Sequence, residues 1–243
     1  MRLTRCFVDL PLHEGARLAL PEASANHLTR VLRLREGDAC VLFNGDGHDY
    51  DARLASVGKR EVVAEIVSMR AVDNESPLHI TLLQGIARGE KMDLILQKAT
   101  ELGVAAIIPV TAERTEVKLD AERAEKRVAH WRNVVASACE QSARARLPSL
   151  APPAERAEAV RAVDGDAMRL TLDPAGDVSL TTVQVASAAV VVAIGPEGGW
   201  SPRDRDTLSA AGFIGLRLGP RILRTETAGL AAIAALQSRF GDL

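Results

Sequence analysis

A chain of 243 residues, 47% apolar and 26% charged, has the composition of a folded globular protein and enough length for one large core or two modest ones. Its formal charge of -2 excludes a uniformly basic nucleic-acid binder but leaves room for a local positive face. No apolar run is long enough to cross a bilayer, Met1-Arg2-Leu3-Thr4-Arg5 opens no secretory leader, and Cys6, Cys40 and Cys139 lack metal-ligand spacing; the expectation is a cytoplasmic protein with reduced thiols, no membrane partner and no bound metal.

Residues 1 to about 70 read as short strands around one small helix. Strands are predicted at Leu3 to Leu10, Leu18 to Leu20, Ala39 to Phe43, Tyr50 to Leu54 and Val62 to Met69, with a strong turn at Asn44-Gly45-Asp46-Gly47. Ser24 is the expected cap of a helix that carries Ala25, Leu28, Val31 and Leu32 on one side and leaves Arg30 and Arg33 nearer the other. Arg70 to Pro77 is polar and reads as a linker. From Leu78 the pattern changes to strand-helix alternation: a strand to Ile86, a helix over Met92 to Leu102 stopped by Gly103, and a buried strand from Val104 to Pro109. A long helix starts near Asp120, with Val128, Trp131, Val135 and Ala138 in its apolar stripe. Met168 to Leu172, Ala188 to Ile194 and Phe213 to Leu218 are the remaining strands; helices follow Ser201-Pro202 and occupy about Glu226 to Phe240.

Two late segments carry the chemistry. Gly195-Pro196-Glu197-Gly198-Gly199-Trp200-Ser201 and Leu218-Gly219-Pro220-Arg221-Ile222-Leu223-Arg224-Thr225-Glu226-Thr227-Ala228 each follow an apolar strand and lead into a helix, where α/β folds hold small molecules. The glycines let a ligand approach the backbone, although a tight turn alone needs them too. The spacing is neither a dinucleotide fingerprint nor a Walker loop, which disfavours a phosphate-rich cofactor. Thr225 has two readings, helix cap or ligand contact. Arg224 also has two, an anchor for an anion or polarised base, or a salt bridge to Glu197 or Glu226. Arg2, Arg5, Arg30 and Arg33 are candidates for a basic edge on the first domain, and Arg88, Lys91, Arg114, Arg144 and Arg146 for one around the entrance of the second.

The whole chain resembles the bacterial 16S ribosomal RNA uridine N3-methyltransferases of the SPOUT superfamily. The resemblance rests on both late loops and on motifs in matching order: His27, Val31-Leu32-Arg33, Gly37-Asp38 and Gly45 to Tyr50; then Arg88, Lys91-Met92-Asp93, Lys98-Ala99, Glu101-Leu102-Gly103, Pro109 and Arg114; then Glu140-Gln141-Ser142, Arg144 and Pro148. It implies an α/β architecture, with a PUA-like β-barrel RNA-binding domain over 1–72 and a SPOUT methyltransferase domain with a C-terminal trefoil knot over 73–243. It also implies S-adenosylmethionine (S-adenosyl-L-methionine) as cofactor, a homodimer, and methyl transfer to N3 of a uridine in 16S rRNA of the assembled small ribosomal subunit. The alternatives are a related SPOUT enzyme acting on tRNA or another rRNA nucleotide, and a non-enzymatic RNA-binding or ribosome-assembly factor. By the resemblance, Leu172, Ile194, Gly195, Pro196, Glu197, Gly198 and Gly199 match one side of the cofactor site, and Leu218, Gly219, Ile222, Leu223 and Arg224 the other. Asp204 stands where the family often has glutamate. Arg224 and Glu197 are the catalytic candidates, Arg224 as an electrostatic or substrate group and Glu197 as a base or as an organiser of its loop.

Overall fold

The computed structural model describes residues 3–117, 120–163, 165–176 and 178–243. They form two compact units: residues up to Glu75 together with Ala136–Leu147, and Ser76–Val135 together with Pro148–Leu243. A single cut near residue 72 therefore misses a segment that returns to the first unit, and no change in periodicity marks that return.

The first unit is a five-stranded sheet built from β1 (Arg5–Phe7), β2 (Arg17–Ala19), β3 (Ala39–Phe43), β4 (His48–Val57) and β5 (Val62–Ala71), in the order β1-β3-β4-β5-β2. Only the β1–β3 pairing is parallel. Tyr50, Ala52 and Leu54 on β4 and Val62, Ala64 and Ile66 on β5 are buried at every second position, the period that puts one face of a strand on a core. The thiols of Cys6 and Cys40 lie in this core, and burial pushes them up to about 12 and about 11 respectively.

The predicted helix is different in detail. It is a short α1 (Glu22–Asn26) continued by a π-helical turn over His27–Val31, in which the Leu32 amide donates to His27 O at 3.0 Å, five residues back. The wider turn breaks the 3.6-residue register: Leu28 is fully buried, whereas Val31 and Leu32 are 66% and 40% exposed. Ser24 lies inside α1 rather than capping it, and its hydroxyl donates to Phe7 O.

Ala136–Leu147 completes this unit. The buried Arg5 guanidinium pairs with Asp49 at 2.5 Å and donates to the carbonyls of Cys139 and Arg144, while the Phe7 amide donates to Glu140. Arg144, 4% exposed, pairs with Glu75. Residues 70–77 are not a free linker either. β5 runs to Ala71, and the buried Ser76, in the second unit, donates to Gln237 Oε1 at 2.6 Å.

The second unit is an α/β layer structure. Its strands are β6 (His79–Gly85), β7 (Ala106–Thr111), β8 (Ser149–Leu150), β9 (Ala154–Glu155), β10 (Met168–Leu172), β11 (Val178–Ser179), β12 (Ala189–Ile194) and β13 (Ile214–Arg217). All pairings are parallel in the order β11-β13-β10-β12-β6-β7-β8, with β9 also on β7. The helices are α2 (Glu90–Glu101), α3 (Ala121–Ser142, which ends in the first unit), α4 (Arg156–Arg161), α5 (Pro202–Ala210) and α6 (Thr225–Phe240).

Strand β12 explains why the sheet is covered on both faces. Val190, Val192 and Ile194 pack in one core with Ile95 and Leu96 of α2, Trp131 of α3 and Ile233 of α6; Val191 and Ala193 pack in another with Val160 of α4 and Leu208 of α5. Trp131, 2% exposed, is a core residue rather than a platform for a base. The two-residue strands β8, β9 and β11 and the six-residue α4 are too short for sequence periodicity to reveal.

Candidate functional site

Strands β13, β10 and β12 are consecutive parallel neighbours, with Leu172 opposite Leu216 and Thr171 opposite Ala193, so their carboxyl ends emerge side by side. The loop after β12 and the loop after β13 rise from that edge and enclose a cavity of about 550 Å³. Leu172, Ile194, Gly195, Pro196, Glu197 and Gly199 line it from the β10 and β12 side. Leu218, Gly219, Ile222, Leu223 and Arg224 line it from the β13 side.

Gly198 does not line the cavity. It lies against Arg114, whose Nη1 donates to Gly198 O at 3.0 Å, and a Cβ there would meet Arg114 Cβ at 3.0 Å. The second glycine of the loop therefore serves a protein contact. Gly199 has φ +64° and donates to Pro196 O at 2.8 Å, a tight turn that a side chain would strain.

A buried polar chain ties the two loops together. Gln84, at 0% exposure near the end of β6, donates through Nε2 to Gly85 O and to Thr225 Oγ1, and the Thr225 hydroxyl donates to Gly195 O at 2.6 Å. Of the two readings of Thr225, the cap gives way: Arg224 occupies the N-cap position, without a side-chain cap bond, and Thr225 connects α6 to the first loop. Gly85 sets the distance between β6 and that loop, because a Cβ on it would stand 2.4 Å from Pro196 N and 2.8 Å from Gly195 C. Sequence reading missed both residues. A glutamine inside the apolar run Leu78 to Ile86 was the available signal for Gln84; Gly85 had none, since the backbone it accommodates lies more than a hundred residues away.

The charges of the cavity are largely spoken for. Asp173 pairs with Arg205 at 2.8 Å, and Glu197 accepts from the Arg88 amide at 3.0 Å and lies 3.5 Å from Lys91 Nζ. Partial burial pushes the Glu197 carboxyl up, but hydrogen bonds from the Arg88 amide and its own amide, with the Lys91 ammonium, outweigh that and hold it below the ordinary carboxylate value. A carboxyl lowered on folding contributes stability above its unfolded value and loses that contribution as pH falls through the lowered one. These contacts favour the reading of Glu197 as the organiser of its loop, which it ties to the Arg88 amide and Lys91. Glu197→Gln is expected to keep the wild-type dependence of rate on pH between about pH 6 and 9, where loss of a general base would leave a rate that rises with hydroxide, and to remove a loop tie that wild type loses only in acid; pH-dependent rates and cofactor titrations check both.

Arg224 and Arg221 are exposed, and among the described residues no carboxylate pairs with either, so of the two readings of Arg224 the salt bridge to Glu197 or Glu226 is not formed. Glu226, in the first turn of α6, completes the lining together with Pro174, Trp200, Leu216 and Ala228.

The basic candidates separate into three groups. Arg30, Arg33 and Arg146 are exposed in the first unit. Arg88, Lys91 and Arg114 gather on the first loop of the second unit, where Arg88 also pairs with Glu116. Arg5 and Arg144 are corrections: buried pairing with Asp49 and Glu75 withdraws them from any RNA surface, and Arg144 and Arg146 belong to the first unit, not to the entrance of the second. Arg2 lies outside the described residues.

Comparison with known proteins matches this architecture. A family model described as an RNA methyltransferase domain covers residues 74–237, and one described as an RNA methyltransferase PUA domain covers 20–67. Ribosomal RNA small subunit methyltransferase E of Buchnera aphidicola is 31% identical over 242 residues, spanning 100% of this chain and 98% of the relative. The chain belongs to the ribosomal RNA small subunit methyltransferase E family. Its Neisseria gonorrhoeae relative, crystallised bound to S-adenosyl methionine, is 41% identical with a TM-score of 0.92, and a putative methyltransferase of Legionella pneumophila, in complex with the same cofactor, is 39% identical with a TM-score of 0.96; each comparison covers 100% of both chains. The order of motifs thus identified the family, and this RNA methyltransferase has the α/β domain and the PUA domain that the resemblance implies. Among its described residues no helix is long and apolar enough to cross a membrane.

Proposed function

We propose that this family member transfers the methyl group of S-adenosylmethionine to N3 of a uridine in 16S rRNA of the assembled small ribosomal subunit. The observation that carries the reading is the cavity between the two late loops, at the carboxyl edge of β13, β10 and β12. The lining suits the cofactor: Leu172, Ile194, Leu218 and Leu223 offer apolar walls for a base, Gly195, Gly199 and Gly219 open the backbone to close approach, and 550 Å³ falls within the range of sites for ligands of this size. When bound, the cofactor supplies an electrophilic methyl on a sulfonium. The chain's residues hold and orient the reactants, with Arg224 at the rim placed to meet charge developing on the uracil oxygens.

RNA contacts are assigned to Arg30, Arg33 and Arg146 in the first unit and to the exposed parts of Arg88, Lys91 and Arg114 in the second. The reading includes a PUA-like domain, a methyltransferase domain with a trefoil-knotted carboxyl-terminal path, a homodimer and a cytoplasmic setting. The test is transfer from labelled S-adenosylmethionine to isolated 16S rRNA and to assembled small subunits, followed by nucleoside identification. The expected product is 3-methyluridine on the assembled subunit. Label on tRNA or on another position points to a related enzyme, and RNA binding without transfer to a non-enzymatic factor.

A further inference from the structure

Three carboxylates line the cavity, and two are occupied by protein donors: Asp173 by Arg205 and the Ala175 amide, Glu197 by Lys91 and the Arg88 amide. The third, Glu226, accepts no hydrogen bond and joins no ion pair among the described residues, and its Oε2 is shut off from solvent. A carboxylate in the first turn of α6 suits the helix dipole, which explains an acidic residue there but not the missing donor. A buried acceptor without a donor is destabilising, so a ligand that brings an N–H into the cavity has a partner waiting.

The chemistry of the rim indicates which N–H. Arg221 and Arg224 line the same cavity as donors without carboxylate partners among the described residues, so the unused groups of the loop are donors and one acceptor. The imide edge of uracil presents the complement: two carbonyl acceptors flanking N3–H. Cytosine has a lone pair at N3 and would set acceptor against acceptor.

We propose that Glu226 accepts the N3 proton of the target uracil and thereby both activates the nucleophile and selects uracil over cytosine; this rests on the methyl transfer proposed above. The N3–H bond breaks with its proton passing to a Glu226 oxygen, and the electron pair left on N3 forms the new bond to the methyl carbon. The carbon–sulfur bond breaks with its pair going to sulfur, which leaves as a neutral thioether. Water then takes the proton from Glu226.

The experiment compares wild type, Glu226→Gln and Glu226→Asp in single-turnover methylation of assembled small subunits, with S-adenosylmethionine affinity measured by calorimetry. The expected result for Glu226→Gln is a rate loss of roughly 100- to 1,000-fold at neutral pH with unchanged cofactor affinity. Its remaining rate should rise roughly tenfold per pH unit, as hydroxide replaces the lost base. Glu226→Asp should recover part of the rate without that slope, which separates lost chemistry from lost folding. A Gln variant at the wild-type rate overturns the assignment, and so does one whose rate loss is matched by lost cofactor affinity, which would make Glu226 an anchor for the cofactor's ammonium. A wild-type protein that binds the cofactor but forms no 3-methyluridine removes the proposed reaction and this role together; an active wild type with an unaffected variant removes only the role.

Discussion

Replacing Gly85 by alanine is expected to weaken S-adenosylmethionine binding by roughly tenfold to a hundredfold while leaving the strand order intact. The added methyl would stand 2.4 Å from Pro196 N, 2.6 Å from Pro196 Cδ and 2.8 Å from Gly195 C. Two of those atoms belong to the backbone, so no side-chain rotation relieves the clash and the first loop must move off β6. Overpacking of this kind costs about 1–3 kcal/mol, and each 1.4 kcal/mol drawn from the binding-competent loop position is tenfold in affinity. The displacement also stretches the bond from Thr225 to Gly195 O, so both walls of the cavity are affected. Calorimetric titration with the cofactor, alongside circular dichroism to verify the fold, measures the effect. Wild-type affinity in a folded Gly85→Ala protein would show that the loop does not need its position against β6.

Asp204→Ala is expected to destabilise the second unit by about 3–5 kcal/mol, the cost of leaving one member of a buried ion pair without its partner. Asp204 is 0% exposed and pairs with Nη1 of the largely buried Arg156, whose Nε has no acceptor among the described residues. The same carboxylate accepts from the Ser201 amide at 2.9 Å, while the Asp204 amide donates to Ser201 Oγ, a reciprocal cap at the start of α5. Its loss therefore loosens the helix immediately after Trp200, the residue that closes the first loop. Urea unfolding checks the prediction: the midpoint should fall with little change in slope. Asp204→Asn, which keeps an acceptor for Ser201 but not the charge, should fall between the two.

Much of this arrangement is legible in the residues. The buried parallel strands announce themselves by continuous apolar runs, Gly103 and Ser201-Pro202 punctuate helices as local chemistry requires, and both late loops emerge from the strand ends at which pattern reading places them. What escapes is of two kinds. Very short elements such as β8, β9 and β11 exist only because a neighbouring strand offers an edge, so no local signal encodes them. Partners distant in sequence are equally hidden. Arg5 reads as a surface cation until Asp49 and the carbonyls of Cys139 and Arg144 surround it, and Glu197 reads equally as a base or as an organiser of its loop until the contacts to Arg88 and Lys91 favour the second. The motifs identify the family, whereas the roles of single charges depend on who stands beside them.

The segment that returns to the first unit bears on how the molecule is made. A nascent polypeptide emerges from its amino end, so the first 75 residues leave the exit tunnel well before Ala136–Leu147. Until that stretch arrives, the Arg5 guanidinium lacks two of its acceptors, the Phe7 amide lacks Glu140, and Glu75 lacks Arg144. The amino-terminal sheet therefore finishes late, during or after synthesis of the helical stretch of the second unit, and a fragment ending at Glu75 would keep Asp49 beside Arg5 but lack the carbonyls of Cys139 and Arg144.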